Sequence, residues 1–412
     1  MFGPGESATI IECTSNATCT TVHAIFTSLL LFLILLTGFA YMTLWERRLI
    51  AWFQARIGPN RAGPAGLLQP VADGLKLIFK EDLTPRDAQR VIFWLAPLIK
   101  MVPAIVVVAV VPLGPDITVP WFDGKWYRMT QGLTDPNIGV LWILGITSIG
   151  IYGIVLAGWA SNNKYAILGG LRSSAQMISY ELSMGLAVAV PVLLAGSMSV
   201  GDIIEAQNDP PILGWYVFQN PLAAAILFIA LLAEVNRAPF DMPEAEQELT
   251  AGYHTEYSGM KFALFYLAEY IGMITVSMVA AALYLGGYHF FLVDRFPLLG
   301  PLVYGVKVFL LLSGMVWIRA TLPRIRYDRL MMLGWKVMLP LAMVAVAWTA
   351  IAVFLAEELG KGVTAVFALI ALALFFGGAQ WWLTRIGHKA EGAAGAGRVE
   401  RVSLSGQVKP GR

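Results

Sequence analysis

The sequence predicts an all-α polytopic membrane protein of about nine transmembrane helices, with an amphipathic surface helix and large loops on one face. Three observations predict it. Hydrophobic residues make up 57% of the 412 positions and charged residues only 14%, against roughly 25% charge in soluble proteins; mean hydropathy is +0.66. The apolar residues gather into nine stretches, most of them near the roughly 20 residues that cross a bilayer. Finally, 22 of the 29 Lys and Arg residues fall in alternate connecting segments.

This composition excludes a soluble enzyme, a disordered chain and a disulfide scaffold. A net charge of +2 gives no argument for nucleic acid. Cys13 and Cys19 are the two cysteines, too few for an iron–sulfur cluster or a cysteine-based zinc site.

Residues 1–21 form an outer N-terminal segment. No Lys or Arg precedes the first apolar run, so the basic region of a signal peptide is missing and that run is expected to be a retained span. Cys13 and Cys19 lie here, and a disulfide and two free thiols both remain open. Asn16-Ala17-Thr18 matches a glycosylation sequon, a pattern so short that chance accounts for it. The spans are expected at 22–44, 91–113, 138–160, 175–197, 217–235, 261–286, 301–319, 336–355 and 363–384. Pro103, Pro191 and Pro340 within them are tolerable where neighbouring helices satisfy the freed carbonyls. The stretch at 175–197 is the most polar, with Ser173, Ser174, Gln176, Ser179 and Glu181 in or beside its first turns. It must face protein or water. Residues 385–412, Gly/Ala-rich with scattered charge, read as a flexible tail.

Basic residues concentrate in segments 45–90, 161–174, 236–260, 319–336 and 385–412, and only four lie in the intervening ones. The positive-inside rule then sets the N-terminus outside and the tail inside. Residues 22–355 make a membrane domain of eight helices, and 356–384 add one more.

Two inner loops are unusual. In the first, Leu67, Leu68, Val71, Leu75, Ile78 and Phe79 fall near helical spacing opposite Asp73, Lys76 and Lys80. This is an amphipathic helix, lying on the membrane or against a partner or ligand cavity. The second, LAEVNRAPFDMPEAEQELTAGYHTEYSG, carries Glu234, Asp241, Glu244, Glu246, Glu248 and Glu256 against Arg237. It reads either as an acidic surface loop or, because Pro239, Phe240, Met242 and Pro243 alternate with the acids, as a fixed and partly buried segment. Glu244 and Glu248 would share a face if helical.

Glu181 and Glu269 sit well inside apolar sequence. A charge at the bilayer centre costs about 2.5–3.5 kcal/mol on insertion scales, so such groups face cavities and serve ion or proton transfer, or pair with a buried cation, for which Lys100 and Lys307 are the candidates. Of the histidines, His23 and His289 lie near outer span ends, His254 in an inner loop and His388 in the tail. None is mid-span, which argues against bis-histidine haem. No G-x-G-x-x-G or Walker A pattern occurs. The chain is expected to carry no redox centre, metal or nucleotide of its own.

Four segments, WERRLIAWFQARIGPNRAGPAGLLQPVADGLKLIFKED, SSAQMISYELSMG, LAEVNRAPFDMPEAEQELTAGYHTEYSGMKFALFYLAEY and WIRATLPRIRYDRLM, closely resemble the H-subunit family of proton-pumping NADH:quinone oxidoreductase, respiratory complex I. The resemblance covers roughly residues 22–355. Membrane-bound hydrogenases contain a related subunit. It implies a multi-pass subunit of the bacterial plasma membrane that anchors a soluble redox arm and forms the membrane part of a quinone chamber. FMN and iron–sulfur clusters would belong to partner subunits, and other membrane-arm subunits and lipid would surround this one. By the same resemblance Glu46, Arg47, Arg56 and Asp73 are expected near the quinone entrance or along its cavity. Arg237 and Asp241 are expected by the chamber. Glu181, Glu234, Glu244, Glu246, Glu248, Glu256 and Glu269 would link quinone to the membrane proton path, and Arg324 and Arg326 would hold the soluble arm. The bland alternative for Glu46, Arg47 and Arg48 is snorkelling at a helix end. A self-sufficient proton-coupled transporter and a purely structural anchor are the rival classes.

Overall fold

A computed structural model describes residues 10–13, 16–120, 125–208, 210, 212–242, 252–290, 293, 296–360 and 362–396. The chain opens with strand β1 (Ile10–Glu12) and the long helix α1 (Ala17–Phe53). Amphipathic α2 (Gln69–Phe79) follows, then α3 (Arg90–Val106), which tightens into a 3-10 turn at Val107–Val110. Strands β2 (Ile117–Pro120) and β3 (Trp126–Met129) precede α4 (Gly139–Ala160), α5 (Lys164–Ala195), α6 (Val200–Ala206), α7 (Tyr216–Gln219) and α8 (Pro221–Glu234). After the acidic loop come α9 (Gly259–Tyr284), α10 (Gly300–Thr321), α11 (Tyr327–Met332), a π-helical turn at Leu333–Met338, α12 (Leu339–Leu359) and α13 (Gly362–Ala396). Among the described residues seven helices are long and apolar enough to cross a membrane, with Pro221–Glu234 and Gly362–Gly378 as shorter apolar helices.

Helix α9 is the axis of the bundle, packing on α1, α3 and α10. Nearly every residue from Ile271 to Tyr284 is buried, as expected for a helix surrounded by protein rather than lipid. Helix α5 joins α4, α8 and α12.

Several boundaries move for local physical reasons. The fourth expected span begins eleven residues early, at Lys164, because its polar turns are buried against protein. Gln176 Nε2 donates to the carbonyls of Ala233 (3.0 Å) and Phe240 (2.8 Å), and the Ser179 hydroxyl accepts from Trp335 Nε1 at 3.0 Å. The fifth is broken at Asn220. Its Oδ1 accepts from Ala223 N–H, while Nδ2 donates to Ala345 O and Thr349 Oγ1, and Pro221 opens the next helix. Fourteen residues then make a helix of about 21 Å, short of the roughly 30 Å hydrocarbon core. Pro340, expected inside a span, stands in the first turn of α12, directly after the π turn; proline supplies no N–H there, and the widened turn absorbs the break. Helix α13 runs on to Ala396, past residue 385 where the tail was expected to start.

Strands are absent from the expected architecture, yet a small sheet forms. Its three strands, in the order β1-β3-β2, stand at the end of α1 opposite α2, with β1 parallel and β2 antiparallel to β3. A Cys13–Cys19 disulfide ties it to the first turn of α1, with Tyr127 buried beside it. Asn16 caps α1 by accepting from Thr18 N–H at 3.1 Å and donates from Nδ2 to Tyr127 Oη at 3.0 Å.

Tight helix contacts rest on glycine. A Cβ on Gly169 of α5 would lie 2.5 Å from Gly252 Cα, so only glycine lets the acidic loop's far end reach that helix. Gly185, on the same helix, has open space at that position. Gly169→Val should therefore lower the thermal unfolding midpoint of the purified chain in mild detergent, by the equivalent of about 1–3 kcal/mol for overpacking, while Gly185→Ala leaves it unchanged.

Candidate functional site

The site begins where α8 ends. Asn236 adopts a left-handed conformation, φ 55°, which asparagine tolerates better than most residues. Its Oδ1 accepts from Ser173 Oγ at 3.2 Å and Gln176 Nε2 at 3.3 Å. That anchored turn sends the next residue, Arg237, back into the protein, where it is 2% exposed.

The Arg237 guanidinium meets two carboxylates. Its Nη1 donates to Glu46 Oε1 on α1 at 3.1 Å, and Nε lies 2.7 Å from Glu269 Oε1 on α9. It also sits over the Tyr270 ring, 4.4 Å from the centroid. Arg319 at the end of α10 pairs with the same Glu46 oxygen. Two acids and two arginines thus close a formally neutral cluster across α1, α9, α10 and the acidic loop. Neutrality offsets much of the desolvation cost of burying ions, whereas deleting one member strands a charge at a cost of about 3–5 kcal/mol.

Behind this cluster lies a small cavity with a polar wall. Lys100, Thr147, Glu234, Asn236, His254, Glu269 and Thr275 supply that wall. It holds about 60 Å³ of water-accessible space, room for a few waters at roughly 10–15 Å³ each. Lys100 acts electrostatically on both Glu234 and Glu269, and Glu234 in turn feels Glu181. Glu181 itself accepts from the Ser148 hydroxyl of α4. Glu46 and Glu269 thus share Arg237, Glu269 and Glu234 share the cavity with Lys100, and Glu181 stands on the neighbouring helix α5. Lys307 takes no part, since its ammonium donates to the carbonyls of Leu285, Gly287 and His289 at 2.7–2.9 Å.

The remaining candidates divide. Asp241 is buried and pairs with Arg324 at 3.0 Å, pinning the acidic loop to the segment before α11. Glu256 accepts from Asn163 Nδ2 at 2.6 Å, at the start of α5. Arg47 pairs with Asp73 of α2 at 2.7 Å, on the wall of a second cavity of about 390 Å³ between α1, α2 and α9. Phe39, Pro70, Ile78, Phe262 and Leu267 supply its apolar lining. Arg56 stays outside, exposed and bonded to Gln54. Arg326 pairs with Asp328 on the surface. Glu244, Glu246 and Glu248 lie outside the described residues. Among the described residues no group of three or more His, Cys, Asp or Glu is placed to hold a metal ion.

Lys100, Arg319, Tyr270 and His254 belong to the site as well. From sequence, Lys100 stands out only as a possible pairing partner, and the other three are not marked as site residues. Lys100 carried a usable signal, a lone cation in an apolar span. His254 carried none. It is buried against Tyr253, Phe262 and Phe265, and burial pushes its imidazole down to about 3.

A family model described as NADH dehydrogenase matches residues 26–350. The first of two H subunits of NADH-quinone oxidoreductase from Geobacter sulfurreducens is 49% identical over 333 residues, 79% of this chain and 94% of that protein. The H subunit of NADH-quinone oxidoreductase from Thermomicrobium roseum is 48% identical over 327 residues, 77% of this chain and 92% of that one. The corresponding H subunit from Streptomyces avermitilis is 48% identical over 321 residues, 76% of this chain and 69% of that protein. Helix α13 falls beyond the stretch matched by the family model.

The buried imidazole gives a pH test. Its pKa falls from 6.5 in the unfolded chain to about 3 in the folded one, so the unfolded state binds the extra proton between those values. The folded state should then lose stability as pH falls from 6.5 toward 3. Denaturation midpoints across that range should decline less steeply for His254→Phe than for the parent.

Proposed function

The chain belongs to the H-subunit family of NADH-quinone oxidoreductase, and from that premise we propose that it forms the membrane wall of the quinone chamber and couples quinone reduction to proton movement. As a member of that complex it works with the other complex I subunits and contributes to catalysis as part of the assembly. FMN and iron–sulfur clusters are assigned to the partner subunits of the soluble arm, which dock on the long basic and acidic loops. The bias of Lys and Arg supports a plasma-membrane orientation with the N-terminus outside and the tail in the cytoplasm.

The observation that carries this reading is the placement of Glu46 and Glu269 on one buried Arg237, of Glu269, Lys100 and Glu234 around one cavity, and of Glu181 on the adjoining α5, taken together as a series. It starts at the loop side of α1 and ends halfway along α5, so it leads from the docking face into the membrane interior. The cavity beside Arg47 and Asp73 has the size range of small-molecule sites and an apolar wall suited to a polyprenyl tail. Ubiquinone and menaquinone share the headgroup and tail that such a passage would admit.

Reducing quinone to quinol consumes two protons and passes through negatively charged species. On this reading Arg237 stabilises that charge. As it draws closer to quinone its hold on Glu46 and Glu269 weakens, and a carboxylate that loses its cation takes up a proton more readily. Proton exchange then passes along the series as coupled titrations. The buried charges and their shared partners favour this reading over a purely structural anchor. A lone transporter is disfavoured by the family membership and by the size of the loops.

In the intact complex, Glu181→Gln should lower proton pumping and coupled quinone reduction severalfold while the complex still assembles. Wild-type pumping in that variant would contradict the reading. Arg237→Ala should impair quinone reduction while NADH:ferricyanide activity, which reports electron entry in the soluble arm, stays intact; equal loss of both would indicate failed assembly instead.

A further inference from the structure

Lys100 is a member of that series to which the proposed function gives no part of its own. It lies within α3, flanked by Leu98, Ile99, Met101 and Val102. A cation there is expensive to insert, so its retention needs a compensating environment. The fold builds one on two sides.

On one side is glycine. Helix α3 packs closely on α4, and a Cβ on Gly153 would fall 2.8 Å from Lys100 N and 2.9 Å from its Cβ. A Cβ on Gly150 would stand 3.7 Å from Lys100 Cδ and Nζ. The first glycine admits the backbone of the lysine turn, and the second lies alongside the lysine side chain at ordinary contact distance. On the other side is the small cavity, where Lys100 faces Glu234 of α8 and Glu269 of α9. Thr147 of α4, Thr275 of α9 and His254 complete the polar groups around it. Glu181 on α5 stands beyond Glu234, and Arg237 beyond Glu269.

We propose that Lys100 is a positioning residue for proton transfer, a mobile counter-cation shared between Glu234 and Glu269. This rests on the carboxylate reading above. Its ammonium keeps its own proton throughout. When a protonated cavity water delivers a proton to Glu269, an O–H bond forms there and breaks on the hydronium, which is left as neutral water, and Lys100 turns to the still-ionised Glu234. When Glu234 takes the proton instead, Lys100 returns to Glu269. One cation thus serves two acids in alternation, adding to the hold of Arg237 on Glu269 and keeping Glu234 from standing ionised without a cation. The water-sized space of the cavity beside Lys100 supplies both the room for that swing and the path.

The test compares Lys100→Gln and Lys100→Arg in the intact complex, with NADH:ferricyanide activity and the amount of assembled complex as controls. In K100Q the carboxylates hold protons to higher pH, so the optimum of quinone reduction should move upward by about one pH unit and protons pumped per NADH should fall. K100R should keep the parental profile. A parental optimum and pumping ratio in K100Q would overturn the proposal, as would an equal defect in assembled K100R. Should K100Q fail to assemble, the double variant K100Q/E234Q removes one charge of each sign and should recover assembly; continued failure together with a defective K100R would also overturn it. Glu234→Gln and Glu269→Gln run in parallel separate the two levels. Full pumping in both would sink the carboxylate reading, whereas loss in both with none in K100Q would sink only the role of Lys100.

Discussion

The buried charged cluster of this protein is organised around one guanidinium. Arg237 reaches Glu46 on the first long helix and Glu269 on the central one, and lies across Tyr270. Arg319 brings the helix after them into the same cluster. An arginine so placed cannot shed its proton and cannot be left unpaired. The helices must therefore hold fixed relative positions for the ions to be satisfied. The loop that delivers Arg237 is fixed in turn by Asn236, by Gln176 gripping the carbonyls of Ala233 and Phe240, and by the Asp241–Arg324 pair.

The same constraint explains why α5 is polar where a lipid-facing helix would be apolar. Its Gln176 satisfies carbonyls freed where α8 ends, and its Ser173 donates to the Asn236 side chain in the turn that follows. It also explains the small residues that let elements come together, Gly169 against Gly252 and Gly153 against the Lys100 turn. Charge, exposed backbone and close packing are thus parts of one solution to placing an acid series in a low-dielectric interior. Proton coupling needs groups whose ionised and neutral forms are close in free energy, and shared cations bring carboxylates toward that balance.

The spans were legible because hydropathy reports burial in lipid directly. Helix α2 was legible from its apolar face at helical spacing, and Glu181 and Glu269 from their placement in apolar runs. Helix ends were less so. Asn220 splits a continuous apolar stretch through hydrogen bonds to residues more than a hundred positions away, and no local pattern encodes that. The small sheet was invisible because three- and four-residue strands carry too little alternation, and β1 pairs with a strand over a hundred residues later. Arg237 was recognisable from its motif, but Arg319 sharing Glu46 and the joining of His254 to the cavity are tertiary facts.

The central claim is that carboxylates in this series change protonation when quinone occupies the chamber. Infrared difference spectroscopy of the intact complex, with and without a quinone-site inhibitor or substrate, measures this directly. A carboxyl C=O band should appear or disappear on occupancy and be missing in the Glu269→Gln complex. A spectrum with no carboxyl change, or one unaltered by that substitution and by Glu234→Gln, would contradict the account.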